Sequence, residues 1–511
     1  MEKILVLDFG GQYNQLIARR VRDLRVYAEI IPFDGVTPEA IRSSGYKGVI
    51  FTGGPNSVFD PASPHFDPAV LDLGVPVLGI CYGCQLMAWM AHGRVETAET
   101  SEYGKTALRV VHAASKLLAD VPAESTVWMS HTDRVTVLPK GFIASASTDN
   151  CPIAAMEDPA RNLYAVQFHP EVTHSVFGGT ILKNFLFAVC GCKGDWTMAG
   201  FIDSTVERLR EQIGDKRVVL GLSGGVDSSV AAALISRAVG DHLTSVFVDH
   251  GLMRKDEGDT VEKAFTALFP MHFVRVNCAE TFLAALRGVT DPEAKRKIIG
   301  ESFYQVFWDE IRKTPDKGYF AQGTIYPDRI ESGKGGADKI KTHHNRVGIP
   351  KDVEFLGVIE PLGELFKDEV RRVGEMLGLP KELVWRQPFP GPGLGVRIIG
   401  EVTAEKIEIL QNADFILRDE MAKNGYEKQL SQFFCVLPGV STVGVMGDHR
   451  TYDHLVAIRA VTTDDFMTAD FARIPYEILE KVSSRITGEV KHVNRVVYDI
   501  TTKPPATVEW E

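Results

Sequence analysis

A chain of 511 residues, 44% hydrophobic and 24% charged, has room for about three domains and ample apolar material for their cores. Its formal charge of −11 excludes a general nucleic-acid binder, and nothing in it approaches the roughly 18 consecutive apolar residues of a membrane span. Seven cysteines in such a length make no disulfide framework. The pairs Cys81-x-x-Cys84 and Cys190-x-Cys192 could together ligate zinc, or the first could be a redox dithiol, but the surroundings of Cys81 point elsewhere. The opening run 1–10 has no signal-peptide pattern and reads as a strand entering an acidic turn.

Up to about residue 190, short apolar runs at 3–7, 48–51, 75–80 and 164–168 alternate with helical stretches, which predicts a mostly parallel sheet flanked by helices. Ligands of such sheets sit beyond the carboxyl ends of the strands. Three of these ends carry unusual residues. Gly79-Ile-Cys81-Tyr-Gly83 leads into a helical stretch at 85–91, and its small residues permit a sharp strand-to-helix turn like a nucleophile elbow. There the thiol meets a helix N-terminus, whose partial positive charge favours the thiolate, and the Tyr82 N–H is placed to stabilise an oxyanion. Gly53 and Gly54, in Phe51-Thr-Gly53-Gly54-Pro55, could supply the other half of that hole, where losing one donor costs ~10²–10³ in rate in comparable enzymes. Cys84 reads as a buried small side chain. In Gln167-Phe-His169-Pro-Glu171, two-residue spacing puts His169 and Glu171 on one face, so the carboxylate can hold one ring nitrogen while the other takes a proton from Cys81. Alone, Gly-Gly-Pro is a plain turn and His-Pro-Glu an ordinary loop end; their value comes from the elbow.

Residues 191–199 read as a linker. Next, Arg217-Val-Val-Leu-Gly221 is a buried strand and the alanine-rich 230–239 a helix. A strand feeding a helix through Ser223-Gly224-Gly225 leaves free N–H groups at the helix start, where the dipole suits an anion such as phosphate. The Gly-Lys-Ser/Thr ending of a Walker A loop is missing. The strand 243–248 ends in Asp249-His-Gly251-Leu-Met-Arg254, and a βαβ connection brings Asp249 and Gly251 to the same edge, where adenine and ribose would lie. Lys341-Thr-His-His-Asn345 suggests a lid or ribose-phosphate contact rather than a metal site, and Lys367 lies at the start of a helix. Gln387-Pro-Phe-Pro-Gly-Pro-Gly-Leu394 is an extended connector. A small α+β domain follows, ending in a strand at 493–500 and a tail that would ordinarily be frayed.

The run Leu222-Ser-Gly-Gly-Val-Asp-Ser-Ser-Val230 resembles the SGGxDS pyrophosphate loop of the ATP pyrophosphatases, which split ATP into AMP and pyrophosphate while adenylating a carbonyl oxygen. That resemblance implies ATP binding by Ser223, Gly224, Gly225, Val226, Asp227, Ser228 and Ser229, the three serines donating to pyrophosphate and Asp227 helping to hold Mg²⁺. It also puts Lys367 on the phosphates. GICYGCQ, QFHPE and FTGGPNS are similar to the class I glutamine amidotransferases over about the first 190 residues. Glutamine hydrolysis through a thioester on Cys81 is then implied, with Gln85, Ser130, His131 and Asp133 binding glutamine. RQPFPGPGL, VGVMGDHRTYDH, TTKPPATVEWE and GTIYPDRIES look like the glutamine-hydrolysing GMP synthases, whose motifs run here in order from residue 4 to residue 511. This last resemblance implies an adenylyl-XMP intermediate and XMP contacts from Arg254, Asp328, Lys503 and Glu509; Met446 stands where some relatives have glutamine.

The implied fold class is α/β: a flavodoxin-like glutaminase domain at 1–192, a Rossmann-type ATP pyrophosphatase domain of the adenine-nucleotide α-hydrolase kind at 193–386, and a small α+β dimerisation and XMP-binding domain at 387–511. The implied enzyme is a cytoplasmic, homodimeric ligase that uses Mg²⁺ with ATP, has no organic prosthetic group, and binds neither nucleic acid nor membrane. One alternative is an amidotransferase with the same two engines and another acceptor. The other is a binding protein on an inactive scaffold, against which the intact cysteine, histidine and glutamate count.

Overall fold

The protein is described as a computed structural model covering residues 1–314, 318–333, 348–463 and 467–511; the motif at 341–345 lies outside the described residues. Two compact units emerge: one holds Met1–Phe201 and the segment from Pro327, the other Ile202–Tyr326 and the remainder through Glu511. The division falls within the helix Met198–Ile213.

The first unit contains β1 (Lys3–Asp8), β2 (Tyr27–Pro32), β3 (Gly48–Phe51), β4 (Val77–Ile80), β5 (Arg94–Val110), β6 (Glu124–Val137), β7 (Ile143–Ser147), β8 (Ala155–Asp158) and β9 (Leu163–Val166). They form one sheet in the order β2-β1-β3-β4-β9-β8-β7-β5-β6. β3, β4 and β9 are buried along their whole length, as strands covered on both faces must be. The first five strands are parallel, as the alternation of apolar runs and helices predicts. The other four are antiparallel, which the sequence reading does not anticipate. Buried and exposed residues alternate in β5 and β6, as in a hairpin with one wet face, and an irregularity between Thr97 and Glu102 interrupts the period-two signal.

Since β1, β3, β4 and β9 run the same way, one sheet edge gathers Asp8, Thr52–Gly54, Cys81 and Gln167–His169. After β4 the chain turns at Cys81 and enters the helix Tyr82–Met90 directly, three residues earlier than the sequence suggests. Glycines allow this. A Cβ on Gly79 would lie 2.5 Å from the Gly83 carbonyl oxygen, and one on Gly83 would lie 2.6 Å from the Phe51 carbonyl oxygen.

The second unit contains β10 (Val218–Gly221), β11 (Leu243–Asp249), β12 (His272–Asn277), β13 (Tyr319–Ala321) and β14 (Gly357–Ile359), all parallel in the order β12-β11-β10-β13-β14. The helix Val226–Val239 follows the central strand and packs against Lys367–Met376. A second sheet is built from β15 (Gln432–Val436), β16 (Ser441–Met446), β17 (His449–Thr462), β18 (Asp470–Phe471) and β19 (Val493–Asp499), with β17 at its centre. The helices Ala404–Lys423 and Tyr476–Glu489 pack against each other. A single apolar core runs from Val219 and Val246 through Leu394 and Leu417 to Ile458 and Val493. The residues after the connector therefore share a core with the parallel sheet. The tail is anchored too: Lys503 exchanges backbone hydrogen bonds of 2.8 and 2.9 Å with Ala469, and the buried Lys295 and Glu511 side chains pair at 2.6 Å.

Gly83→Ala should force β3 and the elbow apart at a cost of about 1–3 kcal/mol. Calorimetry should then show a lower Tm; an unchanged Tm would contradict this close approach.

Candidate active site

Cys81 is a non-glycine residue at positive φ, with φ 53° and ψ −108°, a backbone conformation that costs about 1–3 kcal/mol and persists where the surroundings enforce it. Two bonds enforce it here. The Cys81 N–H donates to the Val166 carbonyl at 2.8 Å, and the Gly83 N–H donates to the Thr52 carbonyl at 3.1 Å. Tyr82 then heads the helix, where its N–H has no carbonyl partner within the helix. A Cβ on Gly53 would lie 3.4 Å from His169 Cε1 and 3.7 Å from Cys81 Cβ, so the peptide after Thr52 runs directly beside the thiol and the imidazole.

His169 Nδ1 donates to Glu171 Oε1 at 2.7 Å, and Cys81 is near enough to the ring to raise its proton affinity. Burial works against the imidazolium, but those two partners outweigh it and raise the His169 pKa to about 10. The ring is further fixed by the edge of Tyr13 at 5.1 Å and by its backbone, whose N–H bonds the Trp128 carbonyl and whose carbonyl accepts from Ser175 Oγ at 2.6 Å. The arrangement can therefore deprotonate a thiol and later protonate a leaving amine.

The residues expected to bind glutamine line the same region. Ser130 presents its carbonyl 3.6 Å from Cys81 Sγ. Gln85 has its amide committed, at 2.7 Å to the Asp133 carbonyl and 3.3 Å to Gln167 Oε1. Asp133 also accepts from Thr97 Oγ1 at 2.8 Å. His131 is buried between the Asp133 carbonyl and Glu102 Oε2, at 3.0 and 3.2 Å, and burial lowers its pKa against the pull of Glu102. Glu102, His131 and Cys151 are the potential metal ligands that converge among the described residues, their donor atoms within 4.8 Å of one another. Each already has a protein partner, Thr148 Oγ1 for Glu102 at 2.8 Å and the Ile153 carbonyl for Cys151 at 3.4 Å, so the trio reads as a buried brace under the 130–133 strand. All seven cysteines are free, and among the described residues Cys81, Cys84, Cys190 and Cys192 form no metal-binding group. Gln167 went unassigned in the sequence, yet its Nε2 lies 3.8 Å from Cys81 Sγ.

In the second unit the loop after β10 has the expected shape. Gly224 sits at φ +73°, Gly225 precedes the first helical residue, Val226, and Ser223 Oγ meets Ser228 Oγ at 3.0 Å. The free N–H groups of the first helical turn lie here. Ser229 departs from expectation: it is fully buried, its hydroxyl has no partner among the described residues, and it cannot meet a ligand as it stands. The reason is helical spacing, because Ser229, Ala232, Ala233 and Ser236 fall on one buried face. Asp227 pairs with Lys367 Nζ at 2.6 Å.

β11 lies parallel to β10, so Asp249 and Gly251 do reach the edge of the loop. The Asp249 carboxylate is engaged, however, accepting from Arg275 at 2.7 Å and from the Gly251 N–H at 3.2 Å. Gly251 has φ +75°, and a Cβ there would lie 2.6 Å from Ala279 Cβ. Arg254 lies over the Phe389 ring at 4.5 Å, with its Nε buried and without a partner among the described residues. Burial, then the nearby Arg418 and Arg386, disfavour its charge, a penalty that an anion would relieve. Glu509 is held internally: Arg397 donates to it at 3.0 and 2.7 Å and Gln432 at 2.7 Å. An acceptor contact from Glu509 would have to share these oxygens. Asp328 is half-buried in the helix Tyr326–Gly333, and Lys503 is half-buried in the anchored tail.

A thiol elbow with its His–Glu pair in one unit and a phosphate loop in the other define a glutamine amidotransferase coupled to an ATP pyrophosphatase. Known families agree. Residues 5–189 match "Glutamine amidotransferase class-I", 198–298 match "NAD synthase", and 419–510 match "GMP synthase C terminal domain". "GMP synthase [glutamine-hydrolyzing]" of Acetivibrio thermocellus is 58% identical over 510 residues, covering 100% of this chain and 99% of its own. The protein of that name from Ruminiclostridium cellulolyticum shares the same identity and coverage, and one from Clostridium botulinum is 57% identical over 510 residues. A solved glutamine amidotransferase of Thermotoga maritima aligns with 37% of this chain and 99% of its own, at 15% identity and a TM-score of 0.32. The chain belongs to the glutamine-hydrolysing GMP synthase family.

Glu171→Gln removes a carboxylate that raises the His169 pKa and leaves the burial that lowers it. The imidazolium should then be lost at lower pH. The alkaline limb of glutamate release should move down from near pH 10, with lower kcat; an unmoved limb would show that Glu171 does not set the proton affinity of His169.

Proposed function

We propose that the chain converts XMP, ATP, glutamine and water into GMP, AMP, pyrophosphate and glutamate. The observation that carries this is the pairing, in one chain, of His169 poised between Cys81 and Glu171 with an N–H-rich glycine loop at a helix start. Relatedness over the full length to proteins named as GMP synthases supports XMP as the acceptor.

In the first unit Cys81 attacks the glutamine amide carbon, and Tyr82 with Gly53 and Gly54 offers N–H groups to the oxyanion. His169 gives its proton to the departing ammonia, held in orientation by Glu171. Water then releases glutamate from the thioester, with His169 as base. In the second unit the XMP C2 oxygen attacks the α-phosphate of ATP while the loop N–H groups and Ser223 and Ser228 receive the pyrophosphate. Adenylation is needed because an amide-like oxygen leaves poorly and AMP leaves well. Ammonia then displaces AMP.

Asp227 fits Mg²⁺: it already faces a cation, the Lys367 ammonium at 2.6 Å, and one carboxylate beside phosphate oxygens is a donor set this ion takes. When bound, Mg²⁺ would neutralise charge on the departing pyrophosphate. Lys367 would turn from Asp227 to the phosphates. A homodimer through the second sheet is supported by an exposed apolar face: Val443 and Val445 lie two apart on β16, and Tyr452 opposes Val443 on β17. We place the enzyme in the cytoplasm, consistent with its seven free cysteines.

Cys81→Ala should abolish GMP formation from glutamine and spare it from added ammonium; loss of both in a folded variant would remove Cys81 from its role. Asp227→Ala should stop pyrophosphate release with either nitrogen source, and continued release would place the phosphate site elsewhere.

A further inference from the structure

Arg386, the residue just before the proline-rich connector, reaches back 162 residues to the phosphate loop. Arg386 Nη1 donates to the Gly224 carbonyl at 2.8 Å and forms an ion pair with the Glu257 carboxylate. Glu257 in turn accepts the Arg254 N–H on its other oxygen at 3.0 Å. The guanidinium groups of Arg254, Arg386 and Arg397 lie 4.5, 5.4 and 5.2 Å from the centre of the same Phe389 ring.

We infer that Arg386 is a positioning residue that sets the phosphate loop for its anion and ties that setting to the acceptor-side Arg254. The inference rests on the proposed reaction for the identity of the acceptor alone. In a trans peptide the C=O and the following N–H point to opposite sides. Fixing the Gly224 carbonyl on Arg386 therefore turns the Gly225 N–H the other way, where it meets Ser223 Oγ at 3.3 Å. Two glycines in succession do little to hold this peptide plane by themselves. If it turned over, a carbonyl oxygen would replace an N–H at the anion site and repel phosphate. The same guanidinium holds Glu257, which holds the Arg254 backbone, so the two substrate sites share one fixed point. Lysine should not substitute, because both contacts are made by Nη1 at the far tip of a planar guanidinium that lies 5.4 Å from the Phe389 ring, and a compact ammonium on a shorter side chain does not reproduce that placement.

The test uses the full chain carrying Arg386→Lys or Arg386→Ala, with ammonium as nitrogen source and initial rates of AMP and GMP formation measured against ATP and XMP. Both variants should raise the ATP KM about tenfold or more, the scale of a lost hydrogen bond to a charged group, and raise the XMP KM as well. Combined with Glu257→Gln, the effects should be less than additive. Native KM values in Arg386→Lys, or a loss confined to kcat, would overturn the positioning role. Strict additivity with Glu257→Gln would overturn the link to Arg254. Should Arg386→Ala fail to fold, the lysine variant decides. A native chain that cleaves ATP without aminating XMP would sink the acceptor assignment instead, and the ATP KM would still judge the loop.

Discussion

The glutaminase half depends on a single backbone constraint, the turn at Cys81. A strand that ends in a strained residue and becomes helix at the next one exposes the thiol at the sheet edge and faces it with the helix's free N–H groups. The strain is held by neighbours rather than by the turn itself. Val166 on β9 takes the Cys81 N–H, Thr52 after β3 takes the Gly83 N–H, and Gly79 and Gly83 leave no room for side chains between them. That β9 strand ends at Val166, three residues before His169, so the bond that fixes the nucleophile also ties it to the segment that carries its base.

The nucleotide half relies on buried guanidinium groups rather than on backbone strain. Arg254, Arg386 and Arg397 surround Phe389, with Glu257 and Glu509 as partners. Buried charges of one sign are costly unless paired, and the Arg254 Nε remains without a partner among the described residues. An anion placed there would relieve that cost. The same pairing of buried charges explains why the final residues are ordered: Arg397 holds Glu509 and Lys295 holds Glu511, so the tail is part of the packed unit.

The elbow, the His-Pro-Glu segment and the phosphate loop were legible in the sequence because their chemistry is set by residues within a few positions of one another. The parallel half of the first sheet was legible for the same reason, through its uninterrupted apolar runs. The antiparallel half was hidden by the irregularity in β5. Ser229 turns inward because a motif specifies residue types while helical periodicity decides which of them face the core. The place of Gln167 beside the thiol was not legible, since its neighbour across the site, Cys81, is 86 residues away.

By itself the sequence placed a thiol on a strand-to-helix turn, a base and carboxylate on one face, and glycines and serines at a helix start, and the resemblance of those motifs to known families implied the two chemistries. Tertiary structure decided who holds these groups in place. It pairs Asp249 with Arg275, Glu509 with Arg397, and Gly224 with Arg386, and it joins the carboxyl-terminal residues to the core of the parallel sheet. The reason is that a side chain's local options follow from its neighbours in the chain, whereas its charge and hydrogen-bond partners are chosen only when distant segments are buried together.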